Sequence, residues 1–396
     1  MSKLETLIQQ LCPDGVEYKK LGDIAVDVFR GSGIKREEVT ETGTPCVRYG
    51  EIYTTYDVWF DTCISHTDAS KIASAKYFEY GDILFAITGE SVKDIAKCCA
   101  YVGHERCLAG GDIVVLRHNQ DPKYLSYALS TTDAQQQKSK GKVKSKVVHS
   151  SVPAIKELVV PVPPLEIQRE IVRILDNFTE LTAELTAELT ARKKQYEYYR
   201  SDLLTFGNDV PTYKLGDVLT FLNGRAYKQS ELLSKGKYPV LRVGNFYTND
   251  SWYYSDLELT EDKYCDKGDL LYSWAATLGP KIWTGEKCIF HYHIWKIIFD
   301  ENTIDKNYLY YYLQNDLAEI SNSTTKSTMI HVSMASMKER MIKLPSIKIQ
   351  RKIAALISSF DRLCTDISCG LPAEIEARKK QYEYYRDKLL TFKPLT

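Results

Sequence analysis

His149 and His331 each lie close to a serine in this 396-residue chain. His149 precedes Ser150, and His331 is followed by Val332 and Ser333. A histidine near a serine is the start of a nucleophilic site, but it also needs a turn that presents the serine and a carboxylate that orients the imidazole. No Gly-x-Ser-x-Gly pattern accompanies either one, so each reads as structural or phosphate-facing. Ten cysteines include the adjacent pair Cys98 and Cys99 but no Cys-x-x-Cys, and no His-Glu-x-x-His occurs. The spacing therefore predicts reduced thiols rather than a zinc site or a disulfide framework. Neither Gly-x-x-x-x-Gly-Lys-Ser/Thr nor Gly-x-Gly-x-x-Gly is present, and the Asn/Asp-Pro-Pro-aromatic signature of amino-methyltransferases is missing. The expectation is no catalytic residue, no metal and no cofactor on this chain.

Binding chemistry is better represented. Two turn-rich loops carry basic and amide side chains: Arg30-Gly31-Ser32-Gly33-Ile34-Lys35-Arg36 and Asn223-Gly224-Arg225-Ala226-Tyr227-Lys228. Arg pairs with guanine and Asn with adenine in the major groove. Arg30, Lys35, Arg36, Arg48, Asn223, Arg225, Lys228 and Arg242 are therefore candidate DNA contacts. Lys138, Lys140, Lys142, Lys144 and Lys146 follow one another with no acid from Ala134 to Val148. Such a run suits phosphate neutralisation and salt-sensitive binding. The second half has only Lys326 in the matching stretch. Lys+Arg and Asp+Glu are equal at 52 each. A protein that encloses DNA alone is usually basic on one face, so partners are expected to supply part of the affinity.

The chain is written twice. Ala191–Phe206 and Ala377–Phe392 agree at fourteen of sixteen positions. Pro163–Ile171 matches Leu344–Ile353 through Ile-Gln-Arg, Tyr18–Ile24 matches Thr212–Val218, and Pro45–Gly50 matches Pro239–Gly244. Gly81–Leu84 matches Gly268–Leu271, and His149 falls opposite His331. Between these landmarks the halves differ freely. The order is a variable block (about 18–160), a shared block (163–206), a variable block (212–343) and a shared block (345–392). The period is too long for a solenoid.

The shared blocks read as long helices built to pair. Apolar residues at Ile167, Ile171, Ile174, Phe178, Leu181 and Leu185 make steps of four and three, a heptad seam. Ile349, Ile353, Leu356, Phe360, Leu363 and Ile367 repeat it. Tyr196, Tyr199, Leu203 and Phe206, with Tyr382, Tyr385, Leu389 and Phe392, return to it later. Glu166 to Phe206 is about 61 Å of helix at 1.5 Å per residue. In the first copy Thr-Ala-Glu-Leu occurs twice, at 182–185 and 186–189, and the second copy is four residues longer there. Each unit adds about 6 Å and slightly more than a turn, so the repeat reads as a ruler. Gly370 and Pro372 are expected to kink the second helix. Arg-Lys-Lys-Gln-Tyr-Glu-Tyr-Tyr-Arg ends both helices, and two like surfaces suit two copies of one partner. Lys193, Tyr196, Tyr199, Arg200, Lys379, Tyr382, Tyr385 and Arg386 are the candidate partner contacts.

Each variable block reads as an α+β globule. Short strand-like runs (Val47–Tyr53, Asp82–Ile87, Asp112–Leu116, Leu270–Trp274, Ile294–Phe299) are punctuated by Gly, Asn and Asp. A helix near Tyr124–Leu129, matched by Tyr308–Leu313, closes each block. The 44% apolar content supports real cores. No apolar run approaches the roughly 18 residues of a membrane span, and the first twelve residues are not a secretory signal. A cytoplasmic protein is expected.

The variable–shared–variable–shared order, the Leu-Gly-Asp block starts, Pro-Pro-Leu-Glu-Ile-Gln-Arg-Glu-Ile at 163–171 and the Arg-Lys-Lys-Gln-Tyr-Glu-Tyr-Tyr-Arg helix ends resemble the specificity subunit of type I restriction–modification systems, over essentially the whole chain. The Thr-Ala-Glu-Leu repeat is similar to a subgroup in which repeat number tunes the gap between half-sites. The resemblance implies an α+β fold with an internal pseudo-twofold duplication. Two irregular target-recognition domains (1–160 and 208–344) would be separated by two long antiparallel coiled-coil helices (161–207 and 345–396). It implies a non-catalytic reader of a bipartite double-stranded DNA target. Two modification subunits would bring S-adenosylmethionine, and restriction subunits would bring ATP and Mg. The competing readings are a coiled-coil protein scaffold and a stand-alone nuclease or methylase, the latter opposed by the missing motifs.

Overall fold

A computed structural model of the chain describes residues 2–141, 147–247, 249–323, 331–366 and 368–395. The chain forms two compact units, Met1–Leu185 with Ile375–Thr396, and Thr186–Glu374. None of the described helices is long and apolar enough to cross a membrane.

The first unit holds two five-stranded sheets. One runs in the order Ala25–Arg30, Ile113–His118, Ile83–Ala86, Cys98–Tyr101, Trp59–Phe60. The other runs Val39–Thr40, Ser65–Thr67, Thr44–Val47, Cys107–Ala109, Tyr77–Phe78. The second unit repeats both with four strands each: Thr220–Asn223, Ile294–Ile298, Leu270–Ser273, Gly279–Ile282, and Tyr253–Ser255, Tyr238–Leu241, Cys288–Phe290, Tyr264–Cys265. The central strands are buried on both faces, as Ile83–Ala86 and Leu270–Ser273 show at every position, which is why they read as continuous apolar runs rather than as alternation. One expected strand is a correction. After Val47 the chain turns into the helix Tyr49–Thr54, because Glu51 accepts from the Arg48 backbone N–H and caps it (2.9 Å). The matching Val243–Tyr247 is also helical. Local capping overrides the strand bias of the Val and Tyr residues.

A shared clasp ties each globule to its helix. The Gln of each Ile-Gln-Arg motif is fully buried. Gln168 accepts from the Asp121 N–H at 2.9 Å and donates to Gln120 and the Pro163 carbonyl at 2.8 Å each. Gln350 accepts from the Asp305 N–H at 2.9 Å and donates to the Thr303 carbonyl (2.9 Å) and the Pro345 carbonyl (2.8 Å). Asp121 and Asp305 in turn cap the helices Pro122–Leu129 and Lys306–Ser323 through the N–H groups of Tyr124 and Tyr308, both at 3.0 Å. A buried amide satisfied at both ends fixes position strongly, since leaving either end unpaired costs about 1–3 kcal/mol.

The first shared block is one continuous helix, Leu165–Leu203. The second is broken: Ile347–Thr365 ends, and Leu371–Leu389 begins after a turn. Asp366 accepts from the N–H groups of Ser368 (2.7 Å) and Cys369 (3.3 Å). A Cβ on Gly370 would lie 2.6 Å from the Arg362 carbonyl, so the turn needs glycine. The expected kink is therefore a full interruption.

Each unit is completed by both copies of the shared block. In the first, Phe178 stacks on Tyr385 (5.6 Å, 25°), and Tyr382, Leu389, Leu390 and Phe392 join a core with Ile171 and Leu175. In the second, Tyr199 stacks on Phe360 (6.0 Å, 24°), and Tyr196 and Leu204 join Ile353, Ile357 and Cys364. The inward face is turned from the seam expected. Gln168, Ile171, Val172 and Leu175 are buried, as are Gln350, Ile353, Ala354 and Ile357. Ile349, Leu356 and Leu363 are exposed at 47%, 43% and 39%, which corrects their assignment to the packing seam. The clasped glutamine sets the rotation. Ile167 is buried in a core that includes Leu4, with Leu7 and Ile8 of the helix Lys3–Leu11 packed against it, and no counterpart of that helix occurs among the described residues of the second unit.

Candidate nucleic-acid interface

The two glycine loops hang on one backbone frame, built once in each unit. In the first unit Gly31 N–H donates to the Ile113 carbonyl (2.9 Å), Ser32 to Ala109 (2.8 Å), Gly110 to Val47 (2.8 Å) and Ile113 to Gly110 (3.0 Å). In the second, Gly224 donates to Ile294 (3.2 Å), Arg225 to Phe290 (3.0 Å), His291 to Leu241 (2.9 Å) and Ile294 to His291 (3.0 Å). The side-chain caps correspond as well. Lys35 N–H donates to Glu38 (2.7 Å) and Lys228 N–H to Glu231 (2.8 Å). Arg48 N–H donates to Glu51 (2.9 Å) and Arg242 N–H to Asn245 (3.3 Å). Three segments thus meet in each unit: 31–36, 48–51 and 110–112 in the first, 224–229, 242–245 and 291–293 in the second. A Cβ on Gly31 would sit 2.2 Å from the Gly110 carbonyl, and one on Gly224 2.3 Å from the His291 carbonyl. Only glycine allows that approach.

The basic candidates border these segments. Arg30, Lys35, Arg36, Asn223, Lys228 and Arg242 are exposed. Arg30 pairs with Asp112 (2.6 Å) beside the frame, and the Arg242 guanidinium lies 5.3 Å from the Tyr253 ring centre. Arg48 and Arg225 are more constrained. Arg48 donates through Nε and Nη2 to the buried Glu51 at 3.0 and 2.9 Å, and Ser65 donates to the same carboxylate at 2.7 Å. Arg225 grips Glu231 with both Nη atoms at 2.9 and 2.8 Å. That bond, then the Lys228 N–H, holds the Glu231 carboxyl down to about 2. These pairs fix the two guanidinium groups in place while leaving about a third of each side chain exposed, 33% and 32%. In the first unit Arg36, Arg48 and Tyr49 line a cleft of about 740 Å³ with Gly110 and Gly111.

The lysine run divides. Lys138 is buried, and its Nζ donates to the Leu129 carbonyl at 2.8 Å, beside the Phe85 ring. Its assignment to DNA is corrected, because it closes the C-terminus of the helix Pro122–Leu129 from inside the core. Lys140 is exposed. Lys142, Lys144 and Lys146 lie outside the described residues, as does Lys326. His149 meets Thr88 at 3.2 Å, and His331 bridges to Ala275, so both histidines occupy the same strand position. No group of three or more His, Cys, Asp or Glu among the described residues could hold a metal ion.

The family model for the type I restriction modification DNA specificity domain matches residues 13–192 and again 208–377. The chain belongs to this family. A chain described as a type I restriction enzyme specificity subunit from Haemophilus influenzae is 34% identical over 267 residues, 64% of this chain and 68% of that one. The EcoR124I/EcoR124II specificity subunit of Escherichia coli is 32% identical over 252 residues, 60% of this chain and 62% of its own length. Among solved structures, a chain from work on the assembly and conformational transition of a type I restriction–modification system is similar over 96% of this chain and 98% of its own (TM-score 0.70, 17% identity). The HsdS subunit of Thermoanaerobacter tengcongensis is similar over 96% and 97% (TM-score 0.53, 16% identity).

Within this specificity-family fold the helix-end candidates separate by burial. Tyr196 is buried and Tyr382 half-buried inside their units, Tyr382 against Tyr127 at 6.4 Å, which corrects their reading as partner contacts. Tyr199 and Tyr385 keep one face outward while stacking on phenylalanine. Arg200 and Arg386 lie over the Tyr196 and Tyr382 rings at 5.3 and 5.6 Å, and Lys193 and Lys379 are exposed. The most exposed rings are Tyr198 at 67% and Tyr384 at 61%. Both lie off the apolar heptad spacing, which marks Tyr196, Tyr199, Tyr382 and Tyr385 instead. The third segment of each frame, 110–112 and 291–293, carries no shared residue that would mark it. The matched spacing Cys107 to Ile113 and Cys288 to Ile294 was the available signal.

Proposed function

We propose that this chain is the non-catalytic DNA-specificity subunit of a type I restriction–modification complex and reads a bipartite duplex target with a fixed spacer. Each unit carries one target-recognition domain, within 1–160 and 208–344, and reads one half-site. Two modification subunits bring S-adenosylmethionine and methylate adenine, while restriction subunits bring ATP and Mg for translocation and cleavage. The observation that carries this reading is the three-segment frame, built twice with the same hydrogen bonds but fitted with different side chains. A symmetric reader needs no such divergence; a reader of two unlike half-sites does.

The like surfaces around Tyr198 and Tyr384 suit two copies of one modification subunit. The balanced net charge fits a chain that closes on DNA only with partners. The test is selection of bound duplexes from a random library by the chain assembled with its modification subunits. The expected product is two short motifs at fixed separation, with affinity falling steeply as salt rises. Recovery of unselected DNA, or of none, contradicts the reading.

A further inference from the structure

The two frames share their backbone hydrogen bonds but differ most at the third segment. The first unit has Gly110-Gly111-Asp112 there, leaving an open floor beneath Arg36 and Arg48. At the same three positions the second unit has His291-Tyr292-His293. These rings pack on one another, Tyr292 to His293 at 3.9 Å and His291 to His293 at 4.9 Å. Trp274 backs them, 5.0 Å from His293 and 6.0 Å from Tyr292, and itself stacks on Trp295. The loop is pinned at its middle. Trp274 Nε1 donates to the Tyr292 carbonyl (2.7 Å), and the Tyr292 N–H donates to the Arg225 carbonyl (3.1 Å). Tyr292 nonetheless keeps 38% of its surface exposed.

We propose that His291, Tyr292 and His293 are the base-reading element of the second unit, contacting base edges of one half-site of duplex DNA. This rests on the DNA-specificity reading above and names the residues that carry it. A pinned loop with one exposed ring, Tyr292, between two half-buried imidazoles has already lost the freedom that ordering on DNA would otherwise cost. Burial, followed by the charges of His293 and Arg242, holds the His291 imidazole down to about 4. It is therefore neutral near pH 7; its Nδ1 accepts the His293 backbone N–H (3.5 Å), which leaves Nε2–H as the donor for a base-edge acceptor. Arg225, its guanidinium paired with Glu231, holds the rings through its carbonyl, and the exposed Arg242, close enough to act on His291, supplies the phosphate-facing charge. The first unit, with a bare glycine floor, must read through its long basic side chains instead. One frame thus carries two unlike readers.

The experiment is the same library selection with two full-length variants assembled with the modification subunits. One converts the loop to the first unit's sequence (H291G/Y292G/H293D), and the other is Tyr292→Ala, whose exposed ring can be removed without opening the core. Recovered DNA is expected to keep one half-motif and the spacer while preference in the other half falls about tenfold or more. Unchanged motifs with both variants, or changes in both halves with Tyr292→Ala, overturn the assignment. If the unmodified chain selects no split motif, the specificity reading itself fails and takes this assignment with it.

Discussion

Gly224 lies under the carbonyls of Phe290 and His291, where a Cβ would approach to 2.4 and 2.3 Å. Backbone atoms cannot swing aside as a side-chain tip can, so Gly224→Ala must separate the first and third segments of the frame. The expected cost is toward the upper end of about 1–3 kcal/mol for overpacking, read as a lowered midpoint in urea unfolding. Gly31→Ala should cost the same in the first unit. A cost within about 0.5 kcal/mol, ordinary for a surface turn, would show that the contact is not as close as described. At this scale the sequence disclosed much: the glycines and their basic neighbours stood out because they recur. Lys138 did not declare its burial, since composition cannot tell which lysine of a run finds a helix-terminal carbonyl. The His-Tyr-His loop stayed hidden because it belongs to no motif class and its counterpart is Gly-Gly-Asp.

At the scale of elements, the helix Leu165–Leu203 carries the Thr-Ala-Glu-Leu units in its middle, and no residue from 176 to 195 is buried. Phe178 and Leu189 pack into the two units on either side, but Thr182–Leu185 supplies no residue to either core, so the length there is free to serve as a ruler. Deleting Thr182–Leu185 removes about 6 Å of helix and slightly more than one turn. The expected result is a changed spacer with both half-motifs retained, seen by mapping methylated sites. Altered half-motifs with an unchanged spacer would defeat the ruler. Helix existence and length were legible from the 3–4 spacing, but the facing was not. Apolar periodicity marked Ile349, Leu356 and Leu363, whereas buried Gln350 turns the helix so that they point outward. The break at Gly370 was visible as a Gly and a Pro two residues apart. Its extent depends on the carbonyls that Gly370 approaches, which no sequence pattern displays.

At the scale of the whole molecule, the duplication seen in the sequence becomes two units, each combining one variable block with helical segments from both copies of the shared block. The repeat boundaries in the sequence therefore differ from the boundaries of the compact units. Shared residues build the clasps, caps and frames, and unlike residues fill the positions that face outward from them. That division is what a two-part reader requires, and it stands at the centre of the account. Its most direct test is to map adenine methylation across the DNA of cells carrying this chain with its modification subunit, against cells lacking only this chain. The expected result is methylation at one split motif with a fixed unspecified gap, lost when the chain is removed. Methylation that persists unchanged without the chain, while the modification subunit remains active, would contradict the account.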